Sequence, residues 1–152
     1  MLEQPQITIV DAQPTAVVKD TVAMAQIREF YDRAFPAAVQ AATRQQVGII
    51  AAFGLYLSTP AETVDLEVGF ITDGQITAED DVVPSELPAG DVVRAVHVGG
   101  YEGLGESWRE LYAWVVEQGR QVGPMMWEVY ETEPGPDVDP ATMRTVLYWP
   151  LV

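Results

Sequence analysis

The sequence predicts an α+β domain in which a β-α-β-β unit occurs twice, forming an antiparallel or mixed sheet with two main helices and a central ligand groove. Two observations carry this prediction. The order strand, helix, strand, strand can be followed in both halves of the 152 residues. A strand segment running from Gly to Tyr also occupies the corresponding place in each half, at 48–56 and 123–130. We therefore expect a single domain over 1–152, with repeats at about 5–76 and 88–152.

The first unit is predicted to begin with a strand at about 6–19. Apolar residues then recur at helical spacing and predict an amphipathic helix; they are Met24, Ile27, Tyr31 and Ala34. Pro36 either ends this helix or starts a second short helix over 37–46. Two strands, at 49–57 and 64–71, complete the unit.

The second unit follows a predicted turn at 86–90 and begins with a strand at 91–98. A glycine-rich loop leads to a helix at about 104–118, whose apolar face consists of Leu104, Trp108, Leu111, Tyr112 and Val115. Strands at 125–131 and 144–151 close the unit. The two units thus follow the same plan with little sequence identity.

The composition limits the possible functions. Eight basic residues against 23 acidic ones give a formal charge of −15, so we expect no direct binding to nucleic acid. Such a charge attracts cations toward a cleft, although a solvated acidic surface alone would also explain it. There is no Cys and a single His, His97, which lies in a strand and is interpreted as structural. We expect neither a metal nor a cofactor.

Neither a membrane span nor a signal peptide is apparent. No run of about 18 apolar residues occurs, and the N-terminus lacks the basic and apolar regions of a secretory signal. We therefore expect a cytoplasmic protein that does not bind membranes. The sequence is compatible with a homodimer and with binding to a partner protein.

Glu128 is the most informative residue, because it lies in the middle of an apolar and aromatic strand. Strand alternation places it on one face with Met126 and Tyr130, and places Trp127 and Val129 on the other. An ionised carboxylate is costly to bury without a partner. Three explanations remain open: a cation supplied from elsewhere in the fold, an edge strand open to water, or a cationic or reactive ligand.

An ordered set of segments in the second half resembles the GyrI-like small-molecule-binding domain, which is also the effector-binding domain of multidrug-responsive transcription regulators. The set comprises 96–104, the helix with Trp108, Leu111 and Trp114, the glycines 119 and 123, 127–130 and 148–151. The resemblance covers about 91–152, whereas the first half matches in layout and length. It departs from the commoner Gly-Pro-Tyr form at 99–101, where this chain has Gly-Gly-Tyr.

The resemblance implies a duplicated β-α-β-β fold with an aromatic pocket. In regulators of this family a strand Glu engages lipophilic cations, and Glu128 is the matching position. Some standalone members resemble hydrolases of cyclopropane-bearing alkylating compounds and use the equivalent Glu. The sequence shows no helix-turn-helix, so we expect that a regulatory role would need a partner protein.

Several side chains are candidates for the ligand site around Glu128. They are Glu128, Tyr130, Met126, Tyr148, Phe53, Tyr56 and Trp108. Tyr130 and Tyr148 would be able to face the same side, whereas Phe53 and Tyr56 have opposite parity unless Gly54 forms a bulge. Each aromatic candidate also fits an ordinary core position.

Three functions follow from these observations. The first is binding of lipophilic, cationic or electrophilic small molecules in an aromatic pocket centred on Glu128. The second is hydrolytic opening of a strained cyclopropane-type ring, with Glu128 and Tyr130 as the catalytic residues. The third is an acidic interaction protein that sequesters a toxin or a DNA-associated enzyme.

Overall fold

The strands of the described residues form one antiparallel sheet. The computed structural model describes residues 1–58, 61–132 and 137–152. In these ranges the strands are β1 (Leu2–Val10), β2 (Gln13–Ala23), β3 (Ile49–Tyr56), β4 (Thr63–Thr72), β5 (Val82–Leu87), β6 (Gly90–Val98), β7 (Met126–Tyr130) and β8 (Arg144–Pro150). Two longer helices accompany them, α1 (Ile27–Arg44) and α2 (Leu104–Glu117). The strand order is β1-β6-β8-β7-β3-β4-β2-β5.

This order contains the predicted unit twice. The first unit is β2-α1-β3-β4, the second is β6-α2-β7-β8, and the two meet at the pairing of β3 with β7. β1 and β5 add one further strand at each edge. The α+β fold class with an antiparallel sheet and two main helices is therefore confirmed.

Two short connections require the sheet to roll up. β1 and β2 are six strand positions apart, as are β5 and β6, yet only residues 11–12 and 88–89 join them. In a flat sheet these strands would be about 29 Å apart, whereas three Cα steps span about 11 Å. The edges of the sheet therefore come close together. Accordingly, Val10 of β1 and Leu87 of β5 share one apolar cluster with Phe53 and Trp127 of the central strands.

This rolled sheet has an inner face, which carries Phe53 and Trp127, and an outer face, on which the helices pack. α1 lies over β2 and β4 and buries Phe30 and a row of alanines. α2 lies over the other half and buries Trp108 and Leu111 against β6 and β8. The helices thus cover the two halves of the outer face, and the central strands β3 and β7 lie between them.

Three predictions about the elements were wrong. The segment 6–19 is not one strand: it spans the end of β1 and most of β2, which lie six positions apart in the sheet. α1 continues through Pro36, because buried alanines on both sides of the proline pack on the sheet. The predicted turn at 86–90 begins within β5, a strand that the pattern did not reveal. No helix of the described ranges is long and apolar enough to cross a membrane.

Candidate functional site

Glu128 lies on the outer face of β7, at the centre of the sheet. Its neighbours in register are Leu147 of β8 and Gly54 of β3, and Val68 of β4 is next in the same row. Its neighbours within the sheet are therefore two apolar side chains and a glycine, and Glu128 is 3% exposed. The predicted alternation is confirmed, since Met126 packs on the outer face and Trp127 on the inner face.

Two neutral donors hold the Glu128 carboxylate. The indole Nε1 of Trp108 on α2 donates to Oε1 at 2.8 Å, and the Tyr130 hydroxyl donates to Oε2 at 2.7 Å. Within the described residues, Glu128 has no ion pair with Lys, Arg or His. The carboxylate is thus hydrogen-bonded, but its charge is not cancelled by a cation.

A chain of hydroxyl groups continues from Tyr130 across the site. The hydroxyl oxygens of Tyr130 and Tyr31 are 3.1 Å apart, and those of Tyr31 and Tyr56 are 3.4 Å apart. Each phenol has one proton, so Tyr130 uses its proton on Glu128 and accepts a hydrogen bond from Tyr31. Residues from α1, β3 and β7 are therefore linked to one carboxylate.

Gly54 makes room for this chain of hydroxyls. It pairs directly with Glu128 across β3 and β7. A Cβ atom at this position would lie 2.4 Å from the Tyr31 hydroxyl oxygen and 3.1 Å from that of Tyr130. Any larger residue would push both phenols away from the sheet, so the glycine determines how closely they approach Glu128.

Aromatic rings surround the hydroxyl groups. The Tyr130 ring makes edge-to-face contacts with Tyr31, Phe35 and Tyr101, at centroid distances of 6.2, 6.3 and 5.7 Å. Phe35 also contacts Tyr31 at 5.6 Å and Phe70 at 5.5 Å. We call Tyr31, Phe35, Phe70, Tyr101 and Tyr130 the aromatic cluster. It offers a ligand large apolar surfaces beside a single carboxylate.

Burial dominates the electrostatics of the site. It raises the pKa of Glu128, and the hydrogen bonds from Trp108 and Tyr130, together with the nearby Tyr56 hydroxyl, counteract this only in part. Burial, followed by the charge of Glu128, raises the pKa of Tyr31, Tyr56 and Tyr130. These phenols therefore keep their protons and remain hydrogen-bond donors at neutral pH.

Four of the six side chains predicted around Glu128 lie on the same face as the carboxylate. Tyr130 and Trp108 bond to it, Met126 is on the same face of β7, and Tyr56 joins the hydroxyl chain. Tyr56 points outward without a bulge at Gly54, in agreement with its parity.

Tyr148 and Phe53 are not part of this cluster. Tyr148 pairs with Trp127, not with Glu128, so it lies on the inner face and stacks on the Trp127 ring at 5.4 Å. The expectation that Tyr148 shares a face with Tyr130 was wrong by one residue of register. Phe53 pairs with Val129 and is buried in the inner-face core.

Of the two tryptophans on β7 and β8, Trp149 packs on a helix and Trp127 does not. The Trp149 ring contacts Trp108 of α2 at 5.4 Å and Tyr112 at 5.9 Å. Trp127 instead faces the interior of the rolled sheet, since the helices and Glu128 share the outer face.

The sequence did not reveal five residues of the site: Tyr31, Gly54, Phe35, Phe70 and Tyr101. Tyr31 was assigned to the apolar stripe of a helix, where its hydroxyl gave no signal. Gly54 was considered only as a possible bulge. A glycine in a central strand also indicates close approach of another group, and this was the available signal.

His97 is a buried structural residue, as its strand position suggested. It is 1% exposed, and its Nδ1 lies 2.6 Å from the Ser107 hydroxyl. Its Nε2 lies 2.8 Å from the Gly100 carbonyl oxygen. A carbonyl only accepts, so Nε2 carries the proton and donates, and in the neutral imidazole Nδ1 accepts from Ser107.

The sequence as a whole matches a known domain family. Residues 3–152 match the family of the GyrI-like small molecule binding domain. The chain belongs to this family. Membership establishes small-molecule binding as the general activity of the domain. No curated protein matches the chain at a significant level.

Several solved structures share the fold at low sequence identity. The EcmrR C-terminal domain aligns over 100% of this chain and 99% of its own length, with 18% identity and a TM-score of 0.85. A hydrolase from Listeria innocua aligns over 99% and 92%, with 13% identity and a TM-score of 0.68. SAV2435, solved with bound tetraphenylphosphonium, aligns over 98% and 94%, with 13% identity and a TM-score of 0.67.

One match also shows this fold as part of a longer protein. EcmrR in complex with DNA aligns over 97% of this chain with 17% identity and a TM-score of 0.83. This chain spans only 57% of the length of that protein. At these identities the structural matches establish the fold alone.

Proposed function

We propose that this GyrI-like domain binds lipophilic cations between α1 and α2, with Glu128 as the counter-ion and the aromatic cluster as the apolar surface. The observation that carries the proposal is the carboxylate itself. Glu128 is 3% exposed, both of its carboxylate oxygens accept hydrogen bonds, and it has no basic partner among the described residues. A buried negative charge of this kind attracts a cation that is able to leave water easily.

A lipophilic cation fits this environment better than a small inorganic one. Its charge is delocalised and weakly hydrated, so moving it beside Glu128 costs less than moving an ammonium or a metal ion. The rings of the aromatic cluster add cation–π attraction and dispersion. The binding of tetraphenylphosphonium by SAV2435, which shares this fold, supports the choice of this chemical class.

The net charge of −15 supports the same sign of ligand. A negative protein raises the local concentration of cations near a cleft and repels anions. The charge also disfavours direct contact with nucleic acid phosphates, so we propose that any regulatory output passes through another protein.

The test compares two ions of the same shape. Tetraphenylphosphonium and tetraphenylborate are nearly equal in size and apolar surface but opposite in charge. Isothermal titration calorimetry should show saturable binding of the phosphonium and none of the borate. Equal binding of both ions would show that apolar surface alone drives binding. Binding of neither would reject the pocket and favour an acidic interaction surface.

A second function is favoured by the hydrogen bond between Tyr130 and Glu128. We propose it as the alternative: hydrolytic opening of a cyclopropane conjugated to a carbonyl group. Water oxygen would bond to a ring carbon while Glu128 takes the water proton. The electrons of the broken ring bond would move to the carbonyl oxygen, which takes a proton from Tyr130. Glu128 would then return a proton to Tyr130 across their 2.7 Å hydrogen bond.

Mass spectrometry separates the two functions. An enzyme would convert a cyclopropane-bearing electrophile into a product heavier by one water, with many turnovers per protein. Tyr130→Phe would abolish this turnover, because it removes the proton donor. In a pure binder the electrophile is recovered intact, and Tyr130→Phe still binds tetraphenylphosphonium.

A further inference from the structure

The Glu128 site is closed in this structure, and Tyr101 is its outermost ring. Glu128 and Trp108 are 3% and 8% exposed, so a ligand reaches the carboxylate only if a covering group moves. Tyr101 is 39% exposed and contacts the buried Tyr130 ring edge-on at 5.7 Å. Burial and the charge of Glu128 raise the pKa of Tyr101, which is consistent with its position at the edge of the site.

Tyr101 is carried by a short turn between β6 and α2. We define this turn as residues 99–103; it ends in a single 3₁₀ turn, Tyr101–Gly103. Its first peptide N–H, on Gly99, donates to the Met143 carbonyl at 2.9 Å. The Gly100 carbonyl in turn accepts from the buried His97 ring. The turn is therefore tied to the sheet immediately before Tyr101.

Two glycines make the turn fit closely around His97. Gly99 has φ +133°, a conformation that L-residues with side chains rarely adopt. A Cβ atom on Gly103 would lie 3.0 Å from Cε1 of His97. The imidazole is thus enclosed by the turn on one side and is fixed by Ser107 of α2 on the other.

We propose that His97 is a positioning residue that holds the 99–103 turn closed, so that the Tyr101 ring gates the Glu128 site. The inference rests on the proposed ligand site, but the closure itself can be measured without a ligand. Opening requires the hydrogen bond from His97 to Gly100 to break and the Tyr101 ring to leave Tyr130. Both contacts are local, so the gate opens without unfolding of the sheet.

The absence of cysteine from the chain provides a direct probe of this opening. Thr145 is completely buried, lies opposite both Tyr130 and His97 in the sheet, and its hydroxyl has no partner among the described residues. Thr145→Cys therefore places a thiol beneath the turn without breaking a hydrogen bond. The rate of its reaction with methyl methanethiosulfonate reports how often the site opens.

Thr15→Cys is the matched control. Thr15 is equally buried and its hydroxyl also lacks a partner among the described residues. It pairs with Ile71, whose side chain belongs to the inner-face core, so it lies on the side of the sheet away from the gate. The reaction rate of its thiol reports global unfolding and slow opening fluctuations of the rolled sheet.

Substitutions at Tyr101 are expected to act at the gate alone. Tyr101→Ala should accelerate the reaction of Thr145→Cys by about tenfold, the amount expected for one lost aromatic contact. Tyr101→Phe keeps the ring and should stay within about twofold of the parent, because the contact is made by the ring. The Thr15→Cys rate should not change in either background. An unchanged Thr145→Cys rate in Tyr101→Ala, or an equal rise at Thr15→Cys, would overturn the gate.

A pair of His97 variants separates positioning from general stability. His97→Gln places an amide N–H near the position of Nε2 and retains a donor for Gly100. His97→Asn reaches only the position of Nδ1, so it retains a partner for Ser107 and loses the bond to Gly100. His97→Asn should accelerate the modification of Thr145→Cys, whereas His97→Gln should keep the modification slow. Equal rates in the two variants would exclude the positioning role of His97.

Stopped-flow mixing with tetraphenylphosphonium then links the gate to binding. Tyr101→Ala should raise the association rate constant by a similar factor to the thiol rate, and the dissociation rate constant by at least that factor, because Tyr101 also belongs to the aromatic cluster. An unaltered association rate in a variant whose thiol rate has risen would show that the ligand enters elsewhere. If tetraphenylphosphonium does not bind at all, the thiol rates still decide whether the gate exists, so the two proposals fail separately.

Discussion

Replacing Glu128 by Gln removes one charge from the centre of the site and retains its shape. The amide oxygen can accept from Trp108 as Oε1 does now. The amide nitrogen donates to Tyr130, whose own proton can turn to the Tyr31 oxygen at 3.1 Å. Each hydrogen bond in the site therefore has a replacement, and the variant should fold.

The expected loss of affinity follows from the burial of the charge. A delocalised cation about 5 Å from the carboxylate, at an effective dielectric constant of about 20, gains about 3 kcal/mol. Losing this energy weakens binding by about a hundredfold. The aromatic contacts persist, so a neutral ligand of similar shape should bind both proteins within about twofold. Calorimetric titration of both proteins at pH 8 with tetraphenylphosphonium measures the difference.

The same substitution should change stability in the opposite direction. Burial raises the pKa of Glu128 above its unfolded value, so ionisation costs more in the folded state. The contribution of Glu128 to stability is therefore fully present below its unfolded pKa and is lost as pH rises through the folded pKa. We expect Glu128→Gln to be the more stable protein in urea at pH 8, with a gap that narrows toward pH 5.

Two results would refute this reasoning. If Glu128→Gln binds tetraphenylphosphonium within threefold of wild type, the carboxylate is not the counter-ion. If the neutral ligand weakens as much as the cation, the substitution has disturbed the shape of the site and not its charge. In the second case the unfolding data should show a loss of stability at pH 8 in place of the expected gain.

Three further predictions concern the surroundings of Glu128. Cation affinity should decline as pH is lowered through the raised pKa of Glu128, with a midpoint above the ordinary value of 4.5. Calorimetry between pH 4 and 8 measures this decline, and a pH-independent affinity would contradict the role of Glu128. Trp108→Phe removes a donor to the carboxylate and should raise the Glu128 pKa further, so the pH midpoint of cation affinity should lie higher than in the wild type, as the same calorimetric series would show. Gly54→Ala should reduce the free energy of unfolding by about 1–3 kcal/mol in urea, because its Cβ meets the Tyr31 hydroxyl. Combining it with Tyr31→Phe should recover part of the loss.

The central strand of the site was predictable because its pattern is local. Alternation along 126–130 is enough to place Glu128 and Tyr130 on one face, and the register confirms it. The α2 helix was predictable for the same reason, since its apolar stripe repeats at helical spacing. In both cases a few consecutive residues determine which side of an element is buried.

Which residues of neighbouring strands lie opposite each other was harder to predict from the sequence, because it depends on register. Whether Tyr148 faces Glu128 or Trp127 changes with a shift of one residue between β7 and β8, and no feature of either strand reveals that shift. The edge strands β1 and β5 were lost for a related reason. The connection at 11–12 is so short that β1 and β2 read as one strand, although the sheet separates them by six positions.

The contribution of α1 to the site was not predicted, because Tyr31 was assigned to the apolar face of the helix from its ring alone. The Tyr31 ring does pack on that face, and its hydroxyl then reaches over Gly54 to Tyr130. The signal lies in a pair of residues that are distant in sequence, a tyrosine in a helix and a glycine in a strand. Only the fold brings them together.

The choice of donors around Glu128 is itself an argument for the sign of the ligand. An Arg or Lys in the place of Trp108 would hold the carboxylate more firmly, but it would also cancel the charge that a cation needs. An indole N–H and a phenol stabilise the ionised form and leave the full negative charge in the site. Their own burial is compatible with a large apolar surface, which a basic side chain would interrupt. An anion would gain nothing from this arrangement, whereas the proposed lipophilic cation would gain from both the charge and the apolar surface.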